Sequence, residues 1–301
     1  MKKFIRRAAA MAALAAVAVA VPMMSGCTSD HPEAVVTIEF NGTTYELNYK
    51  MYRNMYPQTV QHFIELADAG FYDNTIIHNY ATNYWYGGGY TYNDASYSGD
   101  YASDYEAGDG AMREYFEANS KERQYADLFA AGKLTPSVYR DYLDGEYRNA
   151  LPTLIGETGE THVIENGALT GGYGALRMFY SDKDLETSDI VYLDKDGNDM
   201  PILAEYGQHS ATSLFSIQVS TSTDADSNYC IFAQLTDTTP LSDLQSAITS
   251  YTASHSSFTM SVSNVEIDLY DQIIGDRYTN YDTYTVTSVP IKIVSVKITK
   301  Y

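Results

Sequence analysis

The pair Asn41-Gly42 constrains this chain more than any other two residues. It separates two strand-like runs, Val35 to Phe40 ("VVTIEF") and Thr43 to Tyr49 ("TTYELNY"). A two-residue hairpin turn needs positive φ at both positions, which Asn and Gly tolerate, so the pair predicts a tight antiparallel hairpin. Pro57 then stands where a helix would begin. Val60, Phe63, Ile64 and Ala67 recur at i, i+3, i+4 and i+7, and Gly70 follows as a stop. Proline fits the first turn of a helix and glycine its end, so this segment predicts an amphipathic helix with one buried face.

Short strands dominate the remainder. Residues 91 to 110, rich in Tyr, Ser, Asp and Gly, read as loop. Residues 111 to 131 and 136 to 148 have helical composition, with Gly132 between them and Pro136 starting the second. Val163 to Phe179 predicts short strands and glycine turns, and residues 182 to 206 a hairpin around "DKDGND". Further strands are predicted at Ser213 to Ser220, Tyr229 to Leu235, Phe258 to Leu269 and Val286 to Ile298, with a short helix at Leu241 to Tyr251. No internal repeat appears. Many short strands with two helices imply a closed or nearly closed β architecture.

The amino terminus carries an address. "MKKFIRR" is basic, and the apolar run after it is too short for a comfortable membrane span. It ends in Met24-Ser25-Gly26-Cys27, which resembles a bacterial lipobox. That resemblance implies a signal peptide over residues 1–26, a lipid on Cys27, a tether over 27–33 and a membrane-anchored, extracytoplasmic protein. Cys230 is then the one remaining cysteine, so no internal disulfide is expected. It lies in the apolar run "NYCIFAQL" and reads as a buried small hydrophobe. A net charge of −20 would repel a phosphate backbone and excludes nucleic acid as a partner. Tyrosine is over-used, with 29 Tyr against 10 Phe and 1 Trp, which suits half-buried surfaces and grooves.

No metal or cofactor is expected. Asp194, Asp196, Asn198 and Asp199 form part of a calcium-loop pattern but lack the distal Glu, so the segment reads as a polar turn. His78, His162 and His209 lie in separate blocks without ligand spacing.

The segment "YPQTVQHFIELADAGFYDNTIIH" resembles the cyclophilin family of peptidyl-prolyl isomerases, matching at Pro57, Thr59, Val60, Phe63, Leu66, Gly70, Phe71, Tyr72, Asp73 and His78. Later blocks follow in the family's order: "LIGETGETHVIENGALTGGYGALRM", "HSATSLFSIQVS", "NYCIFAQLTD" and "VPIKIVSVKI". The likeness spans residues 34–301 with insertions at about 91–150, 182–208 and 252–285. It implies a mainly β fold, a cyclophilin-like eight-stranded antiparallel barrel capped by two helices, with a helical insertion.

It also implies a chemistry. Isomerising an X–Pro bond means breaking amide resonance, a barrier of about 18–20 kcal/mol. An apolar pocket for the proline ring and a fixed cation near the twisted nitrogen lower it by preorganised electrostatics. At the family's Arg position this chain has Asn79, a neutral and shorter donor, so weakened catalysis is expected. The likeness places Tyr84 and Trp85 at the family's Phe-Met pair, Gly87 at its Gln, and Leu214, Phe215 and Ser216 at its Gln-Phe-Phe. Phe179 stands where a small Ala is usual, and Tyr229 where His or Tyr is common. Arg113, Arg123, Arg140, Arg148 and Arg177 are candidate substitutes for the lost cation, though they read first as surface charges. "NYWYGGGYTY" could also stack sugar faces, but a rebuilt peptide groove is the preferred reading. The implied partners are proline-containing segments of unfolded exported proteins. The alternative is a non-catalytic, surface-anchored binding module using the same groove.

Overall fold

The computed structural model describes residues 29–135, 154–155, 157, 169–179, 190–193, 202–205, 210–221, 229–266 and 281–301. The hairpin forms where Asn41-Gly42 predicts it, with φ of 48° and 79°. It joins β1 (Glu33–Phe40) to β2 (Thr43–Met51), and Phe40 pairs with Thr43. Period-two alternation sends Ala34, Val36, Ile38 and Phe40 inward. The predicted helix is α1 (Pro57–Asp68), which buries Val60, Phe63, Ile64, Leu66 and Ala67. Gly70, at φ 66°, ends it by donating its N–H to the Ala67 carbonyl.

The main sheet also contains β3 (Thr75–Ile76), β4 (Asn79–Tyr80), β5 (Tyr84–Gly87), β7 (Leu176–Phe179), β11 (Phe215–Gln218), β12 (Tyr229–Leu235) and β15 (Lys292–Lys300). Its order is β3-β15-β1-β2-β12-β7-β11-β5-β4, antiparallel throughout. Only Ile77 and His78 separate the two edge strands. Their N–H groups donate to the Ile291 and Tyr86 carbonyls, both at 2.9 Å. β3 and β4 therefore act as one bent strand that curls the sheet around, and the expected cyclophilin-like barrel of eight strand positions is present. Its core includes Leu47, Phe63, Phe215, Phe232 and Ile293, each 0% exposed. The second capping helix, α5 (Thr239–Thr252), adds Leu241, Leu244 and Ile248.

Among the described residues, three two-stranded pieces lie outside this sheet: β6 (Leu154–Ile155) with β10 (Ser210–Ala211), β8 (Ile190–Leu193) with β9 (Ile202–Glu205), and β13 (Thr259–Glu266) with β14 (Tyr281–Thr287). β8 and β9 are the hairpin predicted around "DKDGND"; Asp194, Asp196, Asn198 and Asp199 lie outside the described residues.

The first insertion departs from expectation. Within the predicted loop 91–110 stands α2 (Tyr101–Ala107), because Asp100 caps it by accepting the Ala102 N–H at 3.0 Å. The single helix expected over 111–131 is two, α3 (Asp109–Ala118) and α4 (Glu122–Ala130). The break comes where Ser120 bridges Tyr90 and the Lys121 N–H donates to the Gly89 carbonyl, which pulls the chain onto the barrel. The strand expected over 286–298 is interrupted at Pro290, which has no N–H to give a ladder. The helix predicted over 136–148 lies outside the described residues.

Two insertions far apart in sequence fold against each other. Asp109 and Arg113 of α3 bond to the backbone of Ser263 in β13, 154 and 150 residues away. Together α2, α3 and the β13–β14 hairpin enclose a second core of Ile76, Tyr90, Tyr101, Met112, Tyr115, Phe116, Val262, Val265, Tyr284 and Val286. Ile76 belongs to β3, so this core rests on the strand that leads into His78 and Asn79.

At the opposite end of the barrel the expected tether is partly laid down on the fold. The Ser29 N–H donates to the Tyr301 carbonyl at 2.8 Å, the Arg53 guanidinium donates to the Ser29 carbonyl at 3.3 Å, and Glu33 already begins β1.

Candidate functional site

Register fixes which side chains share the outer face of the barrel. Asn79 pairs with Tyr86, Tyr86 with Ser216, and Ser216 with Arg177. These four stand in one row across β4, β5, β11 and β7. Residues two apart share a face, so Tyr84 and Gln218 lie on it as well.

Trp85 and Gly87 point the other way. Trp85 is 1% exposed and stacks on Tyr80, at a centroid distance of 5.4 Å. A Cβ on Gly87 would meet Ile293 Cδ1 at 3.1 Å and Phe215 Cζ at 3.3 Å, both in the core. The groove side of β5 is therefore Tyr84 and Tyr86. Gly88 has φ 86°, and a Cβ there would fall 2.3 Å from the Ser213 carbonyl oxygen, so only glycine fits. The Ser213 hydroxyl donates to the Gly88 carbonyl at 2.8 Å and locks this turn against the strand entry that holds Leu214.

A cavity of about 150 Å³ opens on this face, lined by His78, Asn79, Tyr86, Phe179, Leu214, Asp282 and Tyr284. Asn79, Phe179 and Leu214 were sequence candidates, and the fold brings them together. Tyr86, Asp282 and Tyr284 were not. The last two come from β14, whose insertion carries no motif.

Asn79 is half-buried, and its side-chain oxygen accepts the Thr285 N–H of β14 at 3.1 Å. Where the resemblance puts a cation aimed at substrate, this chain has an amide tied to its own hairpin. His78 is buried between Tyr90 and Tyr284, with both ring centroids at 5.0 Å. Burial pushes its pKa down to about 3, so the ring is neutral at pH 7. The Tyr90 and Tyr284 hydroxyls bond to each other at 3.2 Å behind it.

The other candidates separate from the cavity. Phe215 faces the core, edge-on to Tyr72 at 5.3 Å. Ser216 is buried on the outer face beside Arg177. Tyr229 opens β12, its backbone paired with Phe179. Arg177 is 1% exposed with its guanidinium carbon 3.8 Å from the Tyr84 ring centroid, so it is held in place and does not swing. It stands three strand positions from Asn79, roughly 14 Å at the usual strand spacing. Arg113 is spent on Ser263 and Asp109. Arg123 lines a separate cleft of about 520 Å³ at the start of α4. Among the described residues, no Arg or Lys lines the 150 Å³ cavity. Cys230 is buried as expected, and burial raises its thiol pKa. Cys27, His162, His209, Arg140 and Arg148 lie outside the described residues.

The family model described as cyclophilin type peptidyl-prolyl cis-trans isomerase/CLD matches residues 35–190. Among solved structures, a cyclophilin type peptidyl-prolyl cis-trans isomerase of Cryptosporidium parvum is similar at 15% identity and a TM-score of 0.39, covering 90% of this chain and 99% of that one. The structure of that protein in the presence of the dipeptide Ala-Pro is similar at 14% identity and the same TM-score of 0.39, covering 89% and 99%. No curated protein matches the chain.

Proposed function

The chain belongs to the cyclophilin-type peptidyl-prolyl cis-trans isomerase family, and from that premise we propose a weak isomerase that holds proline-containing segments of exported proteins in a narrowed groove. One observation carries the reading: the Asn79 oxygen accepts the Thr285 N–H, so the position meant for a fixed cation serves to seat a hairpin. Loss of one preorganised donor lowers a rate by about 10²–10³. At about 150 Å³ the cavity admits one ring or side-chain head, well below the ~300–1,000 Å³ of small-molecule sites.

The resemblance of Met24-Ser25-Gly26-Cys27 to a lipobox, after a basic and then apolar leader, supports placing this activity outside the cytoplasm, on a membrane surface. The test is cis-to-trans conversion of a proline tetrapeptide by the mature chain. A small but concentration-dependent acceleration is expected, and Asn79→Arg should raise it. No acceleration over buffer by either protein would defeat the isomerase reading.

A second reading, a non-catalytic binding module, gains from β14, which walls the groove with Tyr284 and Asp282. It expects peptide binding without turnover. That binding would be lost on replacing Tyr86 and insensitive to the surface of Trp85, which faces the core.

A further inference from the structure

We propose that the 150 Å³ cavity binds an organic cation, with Tyr86, Phe179 and Tyr284 as its aromatic walls and Asp282 as its counter-charge. The proposal rests on the groove being a ligand site, as above, and names the chemistry of what enters it.

The three rings come from three different strands, β5, β7 and β14, and all line the same space, Tyr284 from a ring that also contacts His78, Tyr90 and Phe116. Aromatic faces carry the negative part of a quadrupole, and a cation within about 6 Å of the ring centroid is attracted to them. Leu214 contributes an apolar side, which suits the methylenes or methyl groups around such a charge. Among the described residues, Asp282 is the one charged side chain on the lining besides the buried, neutral His78. It is exposed at the rim, and its oxygen accepts the N–H of Thr283 at 2.7 Å, which fixes the carboxylate at the mouth. A fixed arginine at position 79 would have repelled a cationic ligand; Asn79 removes that repulsion. The charge has in effect moved from the protein to its ligand. The net charge of −20 concentrates cations near the surface and raises their encounter rate.

The volume matches one guanidinium, ammonium or quaternary ammonium head. Two sources share that chemistry: the side chain of a peptide lying in the groove, and a free small amine. The test is a chemical-shift titration of the mature protein with N-acetyl-arginine amide, N-acetyl-lysine amide, tetramethylammonium and the neutral N-acetyl-glutamine amide. We expect shifts at residues 79–86 and 282–286, with a cationic probe at least ~10-fold tighter than the glutamine probe at low salt. Asp282→Asn should erase most of that ratio, and so should Tyr86→Leu, each checked for native melting. Preference for arginine or lysine amide over tetramethylammonium assigns the peptide source; the reverse assigns the free amine. Equal binding of the neutral and cationic probes overturns the proposal. So does a ratio unchanged in both variants. A proline tetrapeptide assayed in parallel separates the two readings: cation preference without isomerisation removes the enzyme and leaves this site, and isomerisation without cation preference removes this site alone.

Discussion

The barrel core and the second core solve the same problem with different residues. Inside the barrel, Val36, Ile38, Leu47, Phe63, Phe232 and Ile293 bring no polar atoms, and the surrounding strands satisfy one another. The second core has only two strands and short helices, which leave backbone groups without a ladder. Tyrosine fills that need. The Tyr101 hydroxyl donates to the Thr287 carbonyl at 2.8 Å, Tyr105 to Ser257 at 2.9 Å, and Tyr115 accepts the Asn93 N–H at 3.2 Å. Each ring adds apolar area while its tip replaces a missing backbone partner. Among the buried residues described, the barrel core holds six Phe and four Tyr and the second core one Phe and four Tyr, so the balance tips to tyrosine in the added layer, which also supplies the Asp282 and Tyr284 wall of a cavity otherwise lined by the barrel.

The sharpest way to break the comparison is to damage each core and ask how far the damage spreads. Phe63→Ala, in a side chain packed on Tyr72, Phe215 and Phe232, should cost about 3–5 kcal/mol and shift the urea midpoint of the whole molecule. Tyr284→Ala should cost roughly 3 kcal/mol but mainly locally. Hydrogen exchange should rise at Thr285 to Thr287 and at Asn79 while β1 and β2 stay protected. Equal loss of protection in β1 would mean the two cores are one cooperative unit.

Acid sharpens the contrast further, because among the described residues one buried histidine, His62, lies in α1 on the barrel and another, His78, packs against Tyr284 of the second core. His62, against the Thr212 carbonyl and Tyr125, has its pKa pushed down to about 4 by burial. His78 is pushed to about 3. Between those values and 6.5 the unfolded chain binds a proton that the folded chain refuses. Stability is therefore full above pH 6.5 and falls as pH drops through this window, by up to ~1.4 kcal/mol per unit for each histidine. Urea midpoints from pH 8 to 4 check this, and His78→Gln should flatten the slope by about half. The smallest effect is Tyr101→Phe, which leaves the Thr287 carbonyl unpaired and should cost ~1 kcal/mol in the same assay.

How much was legible depended on distance along the chain. The Asn41-Gly42 turn and α1 were readable because their determinants lie within a few residues. The strand that closes the barrel was readable through its resemblance to a known block. β5 was not, because Gly87, Gly88 and Gly89 offer the family's glycine pair in two registers, and one residue of slip exchanges the faces of a strand. That is why Trp85 suggested itself for the groove while Tyr86 occupies it. Asn79 announced the missing cation, but its partner Thr285 is 206 residues away, in a segment with no motif to tie it to the site. The helix break at Ser120 was equally invisible, since it depends on Gly89 and Tyr90 in the barrel wall.

The last strands to be made close both cores. β14 completes the second core, and β15 joins β1 to β3 in the first. A chain delivered amino terminus first therefore cannot finish either until residues 281–300 arrive. Until then Tyr101, Met112, Tyr115 and Phe116 have no hairpin to cover them, and β1 has an open edge, the exposure that invites aggregation. Residues 281–300 thus act as the clasp of both cores.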